Sequence, residues 1–150
     1  MLLKDLNLIS EINFKCILIG SGPANLTIAK KLEEQRIKTL IFEAGNNFYD
    51  DDSQEFYSGV VKGDDYADLR YARLRQFGGS SGHWGGTCRT MDEIDFKDWP
   101  FKKSELDTYL NDACKILEIN NNFKKNKINN SIHQIQYQQS NVNFNDKYYN

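Results

Sequence analysis

The hexapeptide Gly20-Ser21-Gly22-Pro23-Ala24-Asn25 stands between a nearly unbroken apolar run, Phe14 to Ile19, and a helical pattern from Ala24 to Arg36. A glycine turn in that position ends a strand and opens a helix at once, so the chain must begin as strand, turn, helix, strand. Within the helical segment Ala24, Ile28 and Leu32 recur every four residues with Ala29 beside them, while Lys30, Lys31, Glu33 and Glu34 fall opposite. One helix face is therefore expected to pack on a sheet. A second short apolar run comes next, Lys38 to Phe42, and both runs are continuous rather than alternating. Such runs predict parallel strands covered on both faces.

The turn carries chemistry as well as geometry. Gly20 permits a sharp reversal, and Gly22, with no Cβ, lets an anionic diphosphate approach the backbone amides at the helix N-terminus, where Pro23 and Ala24 are candidate cofactor-binding residues. The third position of this G-x-G-x-x-G pattern is Asn25, where a last glycine would let helix and strand pack closely; a larger separation is expected there. Glu43 lies at the end of the second strand, 21 residues after Gly22. A carboxylate at that place can accept hydrogen bonds from ribose hydroxyls, and it disfavours a ribose phosphate, so FAD or NAD is preferred to NADP.

Further along, Tyr66 to Phe77 sets Arg70, Arg73 and Arg75 among Leu69, Ala72 and Leu74, which reads as a mixed helical stretch. It runs into Gly78-Gly79-Ser80-Ser81-Gly82-His83-Trp84-Gly85-Gly86, where five glycines in nine residues demand a loop. Arg75 is a candidate to hold diphosphate charge through its guanidinium fork, while Arg73 reads as solvated. Asp50-Asp51-Asp52 reads as a solvated turn rather than a metal site, and His133 has no acid or nucleophile at a recognisable spacing. After Trp99-Pro100, Ser104 stands three residues before Asp107 and leads an apolar series of Leu106, Tyr109, Leu110, Ala113 and Leu117, an amphipathic helix capped at Ser104.

Two glycine loops call for a longer, two-ended cofactor than NAD. Taken with their order and separations, the segments Gly20 to Asn25, Glu43-Ala44-Gly45, Arg73 to Ser81 and His83-Trp84-Gly85-Gly86 resemble the glucose-methanol-choline family of FAD-dependent oxidoreductases, from about Phe14 to about Leu117. The likeness is nearest to the sugar-oxidising branch with a His-Trp pair. It implies an incomplete Rossmann-like FAD-binding βαβ unit, then a glycine-rich flavin loop and the amphipathic helix. It also implies that Ala44 joins Glu43 at the cofactor, that Gly79 and Ser80 lie against the diphosphate or flavin edge, and that His83 and Trp84 approach the flavin. His83 has the spacing from Gly78 at which family members bond FAD covalently through a histidine. The implied reaction is hydride removal from the CH–OH carbon of an alcohol, sugar or polyol to the flavin, with a base taking the hydroxyl proton. The family's base is a histidine in a downstream substrate domain for which this chain has no matching position, so a fragment is expected. Its partner would be a separately encoded C-terminal substrate domain. The alternatives are a non-catalytic FAD- or NAD-binding module and the product of a decayed reading frame.

Composition narrows the remaining classes. The 150 residues carry 19 basic and 21 acidic side chains, a formal charge of -2, which supplies no field for nucleic acid or an anionic membrane. No apolar run is long enough to cross a bilayer, and Lys4 and Asp5 interrupt the apolar N-terminus where a secretory signal would be unbroken. A cytoplasmic setting is expected, with Cys16, Cys88 and Cys114 as thiols without a role. The last of the ten glycines is Gly86, and ten of the sixteen asparagines lie from Asn120 onward, where Lys124, Lys125, Lys127 and Lys147 face only Asp146. The expected organisation is thus 1-119 as the N-terminal part of an FAD-binding domain and 120-150 as a poorly structured Asn/Lys-rich tail.

Overall fold

The structure is a computed structural model that describes residues 6–9, 12–123, 125–127, 133–135 and 137–140. It divides into two compact units, Met1–Trp84 and Gly85–Asn150. The first is a mixed α/β unit built on strand β1 (Cys16–Ile19), helix α1 (Pro23–Glu34) and strand β2 (Thr39–Phe42), with β1 and β2 parallel in the register Cys16 to Thr39 through Ile19 to Phe42. Pro23 at the head of α1 has its backbone angle already set for a helix. The helix closes where Arg36 turns left-handed (φ 59°), and Ile37 N–H bonds back to Leu32 O at 2.9 Å. This ends it two residues before the expected Arg36.

The expectation of strands covered on both faces is corrected. Register places Ile17, Ile19, Leu40 and Phe42 on one face of the pair, and of these only Leu40 is buried; Ile17 is 58% and Ile19 75% exposed. Nor does the α1 stripe reach a core, since the helix has no buried residue and Ala24 and Ile28 are exposed. The physical reason is the same for both. Among the described residues the sheet has only two strands, too few for the neighbouring elements to cover it on both sides.

After β2 the chain makes the one-turn helix α2 (Asp51–Gln54), a 3-10 turn at Glu55–Tyr57 and the short helix α3 (Leu69–Ala72). The aspartate run is the start of α2 rather than a free turn: the Asp50 carboxylate accepts from Ser53 N–H at 3.1 Å. The expected helical stretch Tyr66 to Phe77 shortens to α3, because Arg73 is extended (φ -139°) and the chain then lies beside Asn46, bridging it at Gln76.

In the second unit, strand β3 (Thr87–Cys88) is followed by a 3-10 turn at Glu93–Phe96, helices α4 (Lys103–Asp107) and α5 (Leu110–Leu117), and strands β4 (Lys125–Lys127), β5 (His133–Ile135) and β6 (Gln138–Gln139). Cys88, Phe96 and Cys114 are its buried hydrophobic residues among those described, and Phe96 stacks with Trp99 and Phe101 at centroid separations of 5.3 and 6.1 Å. The expected single helix is broken between Asp107 and Leu110, and its cap is earlier than Ser104: Glu105 Oε1 accepts from Lys102 N–H at 2.9 Å. Of the apolar series, Leu106 and Tyr109 are exposed, while Cys114 is the residue α5 buries.

The division between the two compact units falls inside the second glycine loop. Part of the Asn/Lys-rich segment is paired: β6 runs antiparallel to β3, Gln139 Nε2 donates to Gly85 O at 2.5 Å, and Ser140 Oγ donates to Leu117 O at 2.7 Å. Side-chain amides there satisfy backbone carbonyls, a role that a search for apolar pattern overlooks. Lys4, Asp5, Lys124, Asp146 and Lys147 lie outside the described residues, as does the His133 side chain. Cys16, Cys88 and Cys114 are free thiols, and among the described residues no helix is long and apolar enough to cross a membrane.

Candidate functional site

The first glycine turn is held at both ends. Gly20 leaves β1 at φ 87° while its N–H bonds to Phe42 O at 2.6 Å, so the turn starts at the tip of both strands. Asn25, in the third pattern position, then donates from Nδ2 to Ile19 O at 2.7 Å and to Gly20 O at 3.0 Å. Where a glycine would let helix and strand touch, the asparagine amide ties the first turn of α1 to the carbonyls at the strand end. No side chain caps α1, and helix geometry leaves the N–H groups of Ala24 and Asn25 without intrahelical acceptors. Beside them, a Cβ built on Gly22 meets nothing within 4 Å. Open space, free donors and the positive end of a twelve-residue helix make this a place where a diphosphate fits.

Ser21 and Glu43 form the centre of the arrangement. Ser21 is fully buried, and both its N–H (2.8 Å) and its hydroxyl (2.6 Å) donate to Glu43 Oε2, while Gly45 N–H donates to Oε1 at 2.7 Å. Partial burial pushes the Glu43 carboxyl up, but the hydrogen bonds from the Ser21 hydroxyl and from the Gly45, Ser21 and Ala44 N–H groups outweigh it and hold the group below the usual carboxylate range. Glu43 is thus ionised, at the strand end that the spacing indicated. Its Oε2 is already filled by Ser21, so a ribose hydroxyl would have to use what capacity remains on Oε1 or displace a protein donor. Ala44 itself is exposed.

The second glycine loop reaches the first within the Met1–Trp84 unit. Gly45 and Asn46 guide it: Phe77 N–H bonds to Asn46 O at 2.8 Å, and a Cβ on Gly45 would lie 2.1 Å from Arg75 O, so the two segments touch backbone to backbone. Buried Gln54 secures the approach, donating to Arg70 O at 2.7 Å and to Arg73 O and accepting from Arg75 N–H at 3.0 Å. Gly78 then turns left-handed (φ 84°) and its N–H donates to Ser21 Oγ at 2.8 Å. A Cβ on Gly79 would stand 3.7 Å from Gly22 Cα.

Gly20, Gly22, Asn25, Glu43 and Gly79 therefore come together with Gly78 and Ser21. Ser80 supports the loop from behind, its Oγ accepting from Leu74 N–H at 3.1 Å, and His83 closes the 3-10 turn Gly79–Gly82 with its N–H 3.3 Å from Ser80 O. The His83 side chain and Trp84 are exposed. Arg75 is engaged elsewhere: its guanidinium lies 4.3 Å from the Phe56 ring centroid and donates to Ser53 Oγ at 2.9 Å. Its backbone, not its charge, serves the loop. Sequence reasoning missed Ser21 and Gln54. The signal for Ser21 was its place between two glycines with a carboxylate one strand away; Gln54 had none.

Among the described residues no group of three or more His, Cys, Asp or Glu side chains converges as a metal site. Neither a family model, nor a curated protein, nor a solved structure matches this chain.

Proposed function

We propose that this chain binds FAD and is the N-terminal, cofactor-binding part of an oxidoreductase of the glucose-methanol-choline type, acting on CH–OH groups of alcohols, sugars or polyols. The observation that carries the reading is the meeting of two glycine loops, Gly78 N–H on Ser21 Oγ and Gly79 against Gly22, at the uncapped start of α1. The first loop is the dinucleotide fingerprint, and the family likeness gives the second loop to the flavin side, which a plain nicotinamide-binding unit does not call for. FAD, when bound, supplies the acceptor for hydride leaving the carbinol carbon. The chain's own part would be to bind and orient: Ala24 and Asn25 N–H groups would hold the diphosphate, Gly22 would clear its approach, and Glu43, with Ala44 beside it, would receive the adenosine ribose. The family likeness assigns Gly79, Ser80, His83 and Trp84 to the flavin side, with His83 as the residue for a covalent link.

Proton removal from the substrate would fall to a base on a substrate domain, since none of the candidate residues above is assigned that role. The exposed face of Ile17, Ile19 and Phe42 supports the view that further structure belongs on the sheet, since apolar side chains in a row on a strand pair are stabilised only when covered. We place the protein in the cytoplasm, where its three thiols stay reduced.

The test is a visible absorption spectrum of the purified, desalted chain. A flavin spectrum is expected; a folded colourless protein would replace this reading with that of a nicotinamide or non-binding module, and an unfolded one with that of a decayed frame. Flavin that stays with denatured wild-type protein but not with His83→Ala would establish the covalent link, and its loss from denatured wild type expressed with the substrate domain would remove it.

A further inference from the structure

We propose that Ser21 is a positioning residue that locks the two glycine loops into one preformed cradle. Its side chain, itself part of the first loop, bonds to Gly78 in the second and to Glu43 at the end of β2. The hydroxyl accepts from Gly78 N–H at 2.8 Å and donates to Glu43 Oε2 at 2.6 Å, while Ser21 N–H holds the same oxygen at 2.8 Å. A hydroxyl has one hydrogen to donate and lone pairs to receive, so this relay fixes its direction: the ionised carboxylate accepts the hydroxyl's hydrogen bond, which turns the oxygen's lone pairs toward Gly78. Serine suits the place in two ways. It is fully buried, so its bonds form away from competing water, and a residue without a hydroxyl would leave Gly78 N–H without its acceptor.

Glu43 is, on this view, first a clamp. Its Oε2 orders Ser21 and its Oε1 orders Gly45, the residue against which Arg75 and Gln76 lie, so one carboxylate organises both the turn after β1 and the path by which Gly78 arrives. A cradle assembled before a ligand enters spares the cost of ordering the second loop at binding. The consequence for affinity rests on the FAD reading; the clamp does not.

Amide hydrogen exchange on the ligand-free protein tests the clamp. In Ser21→Ala, exchange at Gly78 is expected to rise about tenfold, the size of one hydrogen bond, while Leu18 and Ile41 in the strand pair stay as protected as in the wild type. Unchanged protection at Gly78 would overturn the proposal. Should Ser21→Ala not fold, Glu43→Gln retains the shape of the clamp but not its charge, and the same local rise at Gly78 is expected; a uniform rise across the unit would instead make the group merely structural. FAD titration of the folded variant comes next, with about tenfold weaker binding expected for Ser21→Ala. If wild type takes up no FAD yet Gly78 responds as described, the clamp stands and the cofactor reading fails.

Discussion

Three glycines that look alike in the sequence do different things at the residue scale. Gly45 is there for contact: an added Cβ would stand 2.1 Å from Arg75 O and 2.5 Å from Gln76 Cα, both backbone atoms that cannot swing aside. Gly45→Ala is expected to destabilise the first unit by about 3 kcal/mol, the upper range for overpacking, read as a lower urea midpoint. Gly78 is there for its backbone, whose left-handed turn (φ 84°) aims its N–H at Ser21 Oγ. Gly22 has neither of these reasons, since its φ of -64° suits any residue and its Cβ direction is open, and the proposed diphosphate site gives it one. Gly22→Ala should leave the urea midpoint within about 0.5 kcal/mol of wild type, and Gly22→Val should abolish FAD retention. Flavin retained by the valine variant would remove the diphosphate site from α1. Glu43 makes a prediction in pH. Its folded pKa lies below the ordinary carboxylate value, so it contributes stability that is present above the unfolded pKa and is lost as pH falls through the folded one. Urea midpoints of wild type and Glu43→Gln should differ at neutral pH and converge as pH drops below about 4.

Asn25 decides the joint between β1 and α1 at the element scale. A glycine at this position would restore the G-x-G-x-x-G pattern, yet it would remove both amide bonds to Ile19 O and Gly20 O and place a flexible residue in the first turn of α1. Asn25→Gly is therefore expected to lower stability by about 1–2 kcal/mol, measured by urea or thermal unfolding, and an equal or higher midpoint would show that the amide is dispensable. The same scale explains the cap on α4. Ser104 and Asp107 had the right spacing, but Lys103 pairs with Asp107 across one turn at 2.6 Å, and Glu105 satisfies Lys102 N–H. Two overlapping S/K-x-x-D/E frames stood close together, and local sequence does not say which residue leaves the helix first. The stretch from Tyr66 to Phe77 differs for a longer-range reason: Gln54 captures the carbonyls of Arg70 and Arg73, and the backbone beyond runs along Asn46 instead of coiling.

At the scale of the whole molecule, the described residues of the first unit are short of cover. Leu40 is the buried hydrophobic residue among those described in the first unit, while Ile17 and Ile19 stand out from β1. Exposed isoleucines on a strand add little to stability and promote association. Ile17→Thr with Ile19→Thr should change the urea midpoint by less than about 0.5 kcal/mol and reduce both light scattering and binding of an apolar dye; a large loss of stability would mean that this face is already covered in solution.

The local grammar was legible in the chain itself. Apolar runs, the glycine turn, Pro23 and the period of α1 specify strand, helix, strand in order, because each depends on neighbours within a few residues. Glu43 could be placed at the tip of β2 by counting alone. What the carboxylate does could not: its bond to Ser21, the pairing of Asn46 with Gln76, and the seat of Gly78 on Ser21 arise when segments 22 to 57 residues apart meet. The same limit governed burial, since a continuous apolar strand is covered on two faces only if other elements lie on both sides. Backbone periodicity is a property of the local chain, whereas coverage and hydrogen-bond partners belong to the assembled fold, and tertiary structure alone decided them.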